Sequence, residues 1–570
     1  MSQYLTTMEK EEDMLVEKVS GTKLMGYTED IAKWIRVSGT QDEVDSLKYC
    51  QNVLEGFGYK TSLTFHTAFI SVPVSAYVEL EYPKNISFEA LTHPFTPSTP
   101  PNGLTGEVVL STNPVIADKI VLCNGFPSAD EVNTLKEYGA IGVIYAQDDN
   151  LHNYAMSPIW GGPTELTETL IPTIPVVSIT RESGNAIKDV IENGRTRVRL
   201  ETIVDTGWRD VPLLEANLES NNDDKFLLFS SHIDSWDYGA MDNGSANATL
   251  IECARLLAEK QSFWQRGLRL VFWAGHSQGK FFSSTWYADN HFEELEEKCI
   301  GHVYVDSTGG KDAVIITEAP VMPQTKKLAA DVINKQTGQE FIGKRIGHYA
   351  DQSFYGIGLT SIFGTFSEQD ALLNTDVVSF KMGDTKRAGG LGWWWHTKHD
   401  TIDKVDEEFL VRDTKIYLAV IWRLLTSPIL PYDFNKAAKE MAQTIEELQN
   451  KLKDRFDFSH LSNRVDKLID ATNKLNEKAK NIKEPCNESI EINNKILKLS
   501  QKIVRITFHG DNCFDFDLSG PIFPLPSLAD GVKLSSCAYG SYKYHSTKLR
   551  LQRGYNRVMH YVKEALELLG

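Results

Sequence analysis

The stretch FLLFSSHIDSWDYGAMDNGSANATLIECARLLAEK, residues 226–260, decides the fold. Its opening, KFLLFSSH with Lys225, is a short, near-continuous apolar run that reads as a buried strand ending in His232. The close, SANATLIECARLLAEK, places Ala248, Leu250, Ile251, Ala254, Leu257 and Ala258 on one side of a helix. A strand that runs through a polar loop into an amphipathic helix is half of an α/β unit. The same unit then repeats outward. LRLVFWAGH at 268–276, HVYVD at 302–306 and DAVIITE at 312–318 read as further buried strands separated by helical sequence. Buried strands alternating with helices predict an α/β fold over about 206–432, with a mostly parallel, doubly wound sheet and helices on both faces.

Around this centre the chain changes character. Residues 1–103 read as the N-terminal part of the same α/β domain: a helical lead-in over roughly 7–57, then strand such as TAFISVPVSAYVELEY at 67–82. The loop HPFTPSTPPNG at 93–103 punctuates it. Residues 104–205 hold short, evenly spaced elements (KIVLCNG, ADEVNTLKEYG, AIGVIYA, IPTIPVVSIT) and form a compact α/β insert with no catalytic constellation. From 433 to 570 the sequence is helical, broken by the loop DLSGPIFPLPSLADG.

The chain's 570 residues are too many for one core and predict roughly three or four domains. A net charge of −18, from 77 acidic against 59 basic residues, argues against nucleic-acid binding, which needs concentrated Lys and Arg. The start, MSQYLTTMEKEEDMLVEK, lacks a secretory signal, and the apolar run IYLAVIWRLL at 416–425 is too short for a bilayer and carries Arg423. Seven scattered cysteines with no CxxC pair read as reduced thiols in a cytoplasmic protein with no membrane partner.

Open α/β sheets bind ligands beyond the carboxyl ends of their strands. At those ends stand His232 with Asp234 two residues on, His276 with Ser277, and Asp306. The loop SWDYGAMDNGS adds Asp242, and the glycine-rich loop RAGGLGWWWHTKHDTIDKVD adds His396 and His399. Imidazoles and carboxylates in this mixture suit a zinc-like ion. Each residue taken singly has a structural reading: a strand-end histidine as a hydrogen-bonded core residue, Asp242 as a helix cap. Repetition at four successive element ends favours the metal. Trp393, Trp394 and Trp395 are packing around a loop or an aromatic pocket wall.

These motifs, together with VYVDSTG and WHTKHDTIDKVD, resemble the zinc aminopeptidase family, which also holds glutamate carboxypeptidase and the non-enzymatic transferrin receptor. The resemblance implies two adjacent metals: His232 and Asp306 on one, His396 on the other, Asp242 bridging, and Asp234 behind His232. It implies that 104–205 is a protease-associated-type insert and that 433–570 is a helical domain of the dimerisation type, making the chain a homodimer. The segment GHYADQSFYGIGLTSIF at 347–363 resembles the family's loop near the substrate pocket, which makes Tyr349 and Asp351 candidates for substrate contact, with Trp395 and Ser277 beside them.

The sequence departs from that family at its chemical centre. Hydrolytic members carry two consecutive glutamates after the LRLVFWAG strand, a general base and a second-metal ligand; here His276 and Ser277 stand there, and the nearest glutamates are Glu259 and Glu293. The expectation is therefore one zinc-class ion rather than two, with His276 as the acid/base group and Asp234, behind His232, counted with it among the catalytic residues. The expected function is hydrolysis of the amide bond of a small peptide or acylated amino acid. The alternatives are a lyase or other proton-transfer reaction on an amino-acid-like substrate, or a relative that binds without catalysis.

Overall fold

The structure, a computed structural model, describes residues 2–371, 390–510 and 512–570. Three helices, Gln3–Glu17, Gly21–Ile31 and Gln41–Gly56, lead in, and each opens on a Ser or Thr whose hydroxyl accepts a backbone N–H of the first turn. The strand Lys60–Tyr82 follows and pairs antiparallel with Arg197–Leu218 along nearly its whole length.

Arg197–Leu218 joins the two halves of the molecule. Its first residues pair with Leu104–Leu110, the edge of the parallel strands Ile120–Asn124, Gly142–Ala146 and Val176–Ile179. Its last residues pair with Gly267–Trp273, the edge of the second sheet. The boundary expected at 205/206 thus falls inside one unbroken strand, because a ladder shared by two sheets leaves no linker signature at that point.

In the second sheet Gly267–Trp273 and Cys299–Tyr304 flank Phe226–His232 in parallel, and Ser361–Ile362 extends it, also in parallel. Successive residues of the central strand enter different cores. Leu227 and Phe229 join the large cluster beneath the helices Ala246–Ala258 and Glu407–Thr426, whereas Leu228 faces Trp273, Tyr287, Tyr304 and Phe354. Both faces are covered, which is why the strand carries an unbroken apolar run. Each such side chain contributes on the order of 1.5–3 kcal/mol by burial.

IYLAVIWRLL lies within the buried helix Glu407–Thr426; among the described residues no helix is long and apolar enough to cross a membrane. The run DAVIITE is not a strand. Only Ile315 pairs, in an isolated bridge with Glu368; Ala313 and Ile316 are buried in a loop, whereas Val314 is exposed. An apolar run reports burial, and here burial comes without a ladder. The C-terminal part is helical, in Phe434–Leu452, Ser459–Asn481, Asn487–Thr507 and Tyr542–Leu569. All seven cysteines are free thiols.

Candidate metal centre

Register puts the site together. Trp273 pairs with His232 and Tyr304 with Ser230, so the residues just past the neighbouring strands, His276 and Asp306, come level with the end of the central one. Asp242 arrives on the loop that follows. Its backbone N–H and that of Met241 donate to the two oxygens of Asp400, each at 2.9 Å. Asn243 accepts from the Ser307 N–H at 2.9 Å, locking this loop to the one that carries Asp306. The helix starts only at Ala246, so Asp242 is not its cap.

His232, Asp242, Asp306 and His396 do meet. The Nε2 of His232 lies 3.2 Å from one oxygen of Asp242 and 3.7 Å from Asp306, and the Nε2 of His396 lies 3.0 Å from the other oxygen of Asp242. Both rings have their Nδ1 engaged by backbone carbonyls, His232 with Asp234 at 2.9 Å and His396 with Asn153 at 2.8 Å. A ring that donates from Nδ1 presents a lone pair at Nε2. Each Nε2 then faces one oxygen of Asp242, an arrangement that repels unless a proton or a metal cation lies between them. The electrostatics show the same demand for positive charge. Burial disfavours charge on His232, but Asp234, Asp242 and Asp306 outweigh it and push its pKa well above the ordinary value. Asp242, although fully buried, is held well below the carboxylate range by the two imidazoles. The donor set fits a zinc-class ion.

His276 stands in this group. Its ring stacks on that of His232 with centroids 3.8 Å apart and planes 9° apart, and one ligand atom each of His232, His276 and Asp306 falls within 4.8 Å of the others. Its Nδ1 is 2.6 Å from Asp351. His399 is exposed against Trp393 and does not line the pocket. Ser277, Tyr349 and Trp395 line the pocket, and Trp395 stacks on His396. Trp394 is buried beside Leu24 and Met241 as packing.

Two expectations need correction. Asp351 is not a substrate contact: it is fully buried behind His276, and its carboxylate also accepts from Ser284 Oγ at 2.7 Å and Tyr304 Oη at 3.2 Å. Asp234 does not hold the His232 ring through its carboxylate, which is 3.7 Å away. That carboxylate instead accepts the backbone N–H groups of His276 at 3.0 Å and Ser277 at 2.7 Å, so Asp234 positions the loop on which His276 rides.

Four residues had no signal read from them. Asp400 lay unread within the HTKHD motif; burial and the nearby Asp242 raise its pKa to about 7. Arg36, fully buried, donates to the carbonyls of Ile31, Trp34, Ile233, Tyr238 and Gly239 and so frames the loop between His232 and Asp242. Lys280 and Glu368 line the pocket. The insert also contributes: besides the Asn153 carbonyl, its His152 ring bonds the Trp395 carbonyl, so a loop of the insert clamps His396.

The chain has an M28-type zinc peptidase fold. Residues 214–421 match Peptidase family M28 and residues 96–187 match the PA domain. The chain is 27% identical over 235 residues to the probable glutamate carboxypeptidase VP8 of Zea mays, a match covering 40% of this chain and 32% of that protein, about a third of its length. In three dimensions it is similar to a peptidase M28 precursor from Shewanella amazonensis, with a TM-score of 0.60 at 18% identity, over 75% of this chain and 98% of the other. It is also similar to BSAP, a zinc aminopeptidase from Bacillus subtilis, with a TM-score of 0.55 at 17% identity, over 72% and 96% of the two chains.

Proposed function

We propose that this chain is a metal-dependent hydrolase that cleaves the amide bond of a small peptide or acylated amino acid, using one zinc-class ion and His276 as its acid/base group. The observation that carries this reading is the pair of imidazoles whose Nε2 atoms face the two oxygens of Asp242 while Nδ1 is bound elsewhere. His232, Asp242 and Asp306 would hold the ion, with His396 on the far oxygen of Asp242. When bound, it supplies a Lewis acid that polarises the scissile carbonyl.

The rest falls to the chain's own groups. His276 gives its Nδ1 proton to Asp351 in a hydrogen bond and keeps Nε2 free to take a proton from the attacking water and return it to the leaving amine. Asp351 fixes that tautomer and stabilises the imidazolium that forms. Asp234 holds the backbone beneath His276. A second reading, proton transfer on an amino-acid-like substrate without water attack, is favoured by the residues at 276 and 277. Residues 276 and 277 offer no carboxylate, and a His–Asp pair can move a proton from carbon as well as from water.

The test is turnover of a panel of dipeptides and N-acetyl amino acids in heavy-oxygen water, with products read by mass spectrometry and metal counted by elemental analysis. Heavy oxygen in the new carboxylate is the expected result, lost in His276→Ala with metal retained. Turnover without that label would sink hydrolysis in favour of the second reading. A chain that retains no metal would leave neither.

A further inference from the structure

Lys280 sits in the pocket of the proposed centre, and among the described residues it has no ion-pair partner. The residue is 8% exposed, and it lines the same cavity as Asp242, His276 and Asp306. Among the described residues no carboxylate pairs with its ammonium; its contacts are the faces of Tyr154 and Phe281, at 5.2 and 5.4 Å from the ring centroids. The acid nearest in role, Glu368 on the same wall, is already neutralised by Lys344 at 2.6 Å.

The backbone is shaped to hold it there. Lys280 and Phe281 both adopt positive φ, 52° and 71°, in a tight turn closed by Phe281 N–H on the His276 carbonyl at 3.1 Å. Side chains other than glycine rarely take that conformation, and here it places the cation on the loop that carries His276. A buried ammonium with no counter-charge is unfavourable. Burial alone pulls the Lys280 pKa down to about 8, which still leaves it mostly charged at neutral pH. A cavity lined by carboxylates and one unpaired cation is completed by an anionic ligand group at that cation.

We propose that Lys280 is a specificity-determining residue whose ammonium pairs with a carboxylate on the amino-acid portion of the substrate, on the His276 side of the bond that is cut. This rests on the proposed function for the identity of the ligand as a substrate. Binding, however, is read without turnover, so the two fail separately.

The experiment is calorimetric titration of the metal-loaded chain with N-acetylaspartate and with its diamide, probes of nearly the same shape that differ in charge. Wild type should prefer the dianion by tenfold or more. Lys280→Met should lose that preference while binding the diamide as before, and Lys280→Arg should keep much of it. Melting curves show whether each variant is folded. If Lys280→Met retains the full preference, the carboxylate is held elsewhere and the proposal is wrong. It is equally wrong if wild type binds both probes alike or neither.

Discussion

Replacing Arg36 by Met tests whether the site is built by long-range backbone anchoring. Arg36 is fully buried, and its guanidinium reaches five carbonyls within 3.0 Å. Three of them, on Ile233, Tyr238 and Gly239, belong to the loop between His232 and Asp242. Methionine fills much of the volume but donates nothing. At a net ~1–1.5 kcal/mol for each of those three bonds, the loop should lose about 3–4 kcal/mol of local stability. Burial lowers the Arg36 pKa only to about 10, so the donor is charged throughout the neutral range and the effect should not vary between pH 6 and 8.

Because the loop ends on two of the expected ligands, the loss should appear twice. Hydrogen exchange of amides at 233–242 should accelerate by two orders of magnitude or more, and zinc affinity, measured against a competing chelator, should fall by roughly 10–100-fold. The strands beneath should exchange as in wild type. If exchange and zinc affinity both match wild type, the carbonyls have found other donors and Arg36 does not build the site.

Asp242→Asn removes the charge shared by His232 and His396 and should lower zinc affinity by at least tenfold; unchanged metal content would return Asp242 to a purely structural role. His302 is buried in the sheet with its Nδ1 unpartnered, and burial pushes its pKa down from 6.5 to about 3. The folded chain therefore keeps it neutral while the unfolded chain protonates. Its contribution is whole above pH 6.5 and is lost as pH falls toward 3, at about 1.4 kcal/mol per unit, or about 2 kcal/mol by pH 5. Urea midpoints between pH 5 and 7 should vary less in His302→Gln, and an unchanged slope would assign the acid sensitivity to other groups. Light scattering should give twice the chain mass of 64.1 kDa, in line with a homodimer formed through the C-terminal helices, and a mass of one chain would refute it.

The sequence by itself determined the fold class and which side chains stand at the strand ends. Both are written locally: apolar runs mark strands buried on two faces, and a strand that stops at His232 must present that residue at the sheet's carboxyl edge. It also showed that residues 276 and 277 lack the expected carboxylates. Tertiary structure alone decided what each group does. Asp351 lies behind His276 rather than on the pocket wall, and the Asp234 carboxylate grips a backbone turn rather than an imidazole. Arg36 frames a loop about 200 residues away, and His152 and Asn153 clamp a loop 243 residues on. Contacts between residues so far apart leave no periodicity, cap or spacing in the chain. Which oxygen meets which nitrogen is set by the register of strands and the closing of loops, and these exist only once the sheet has formed.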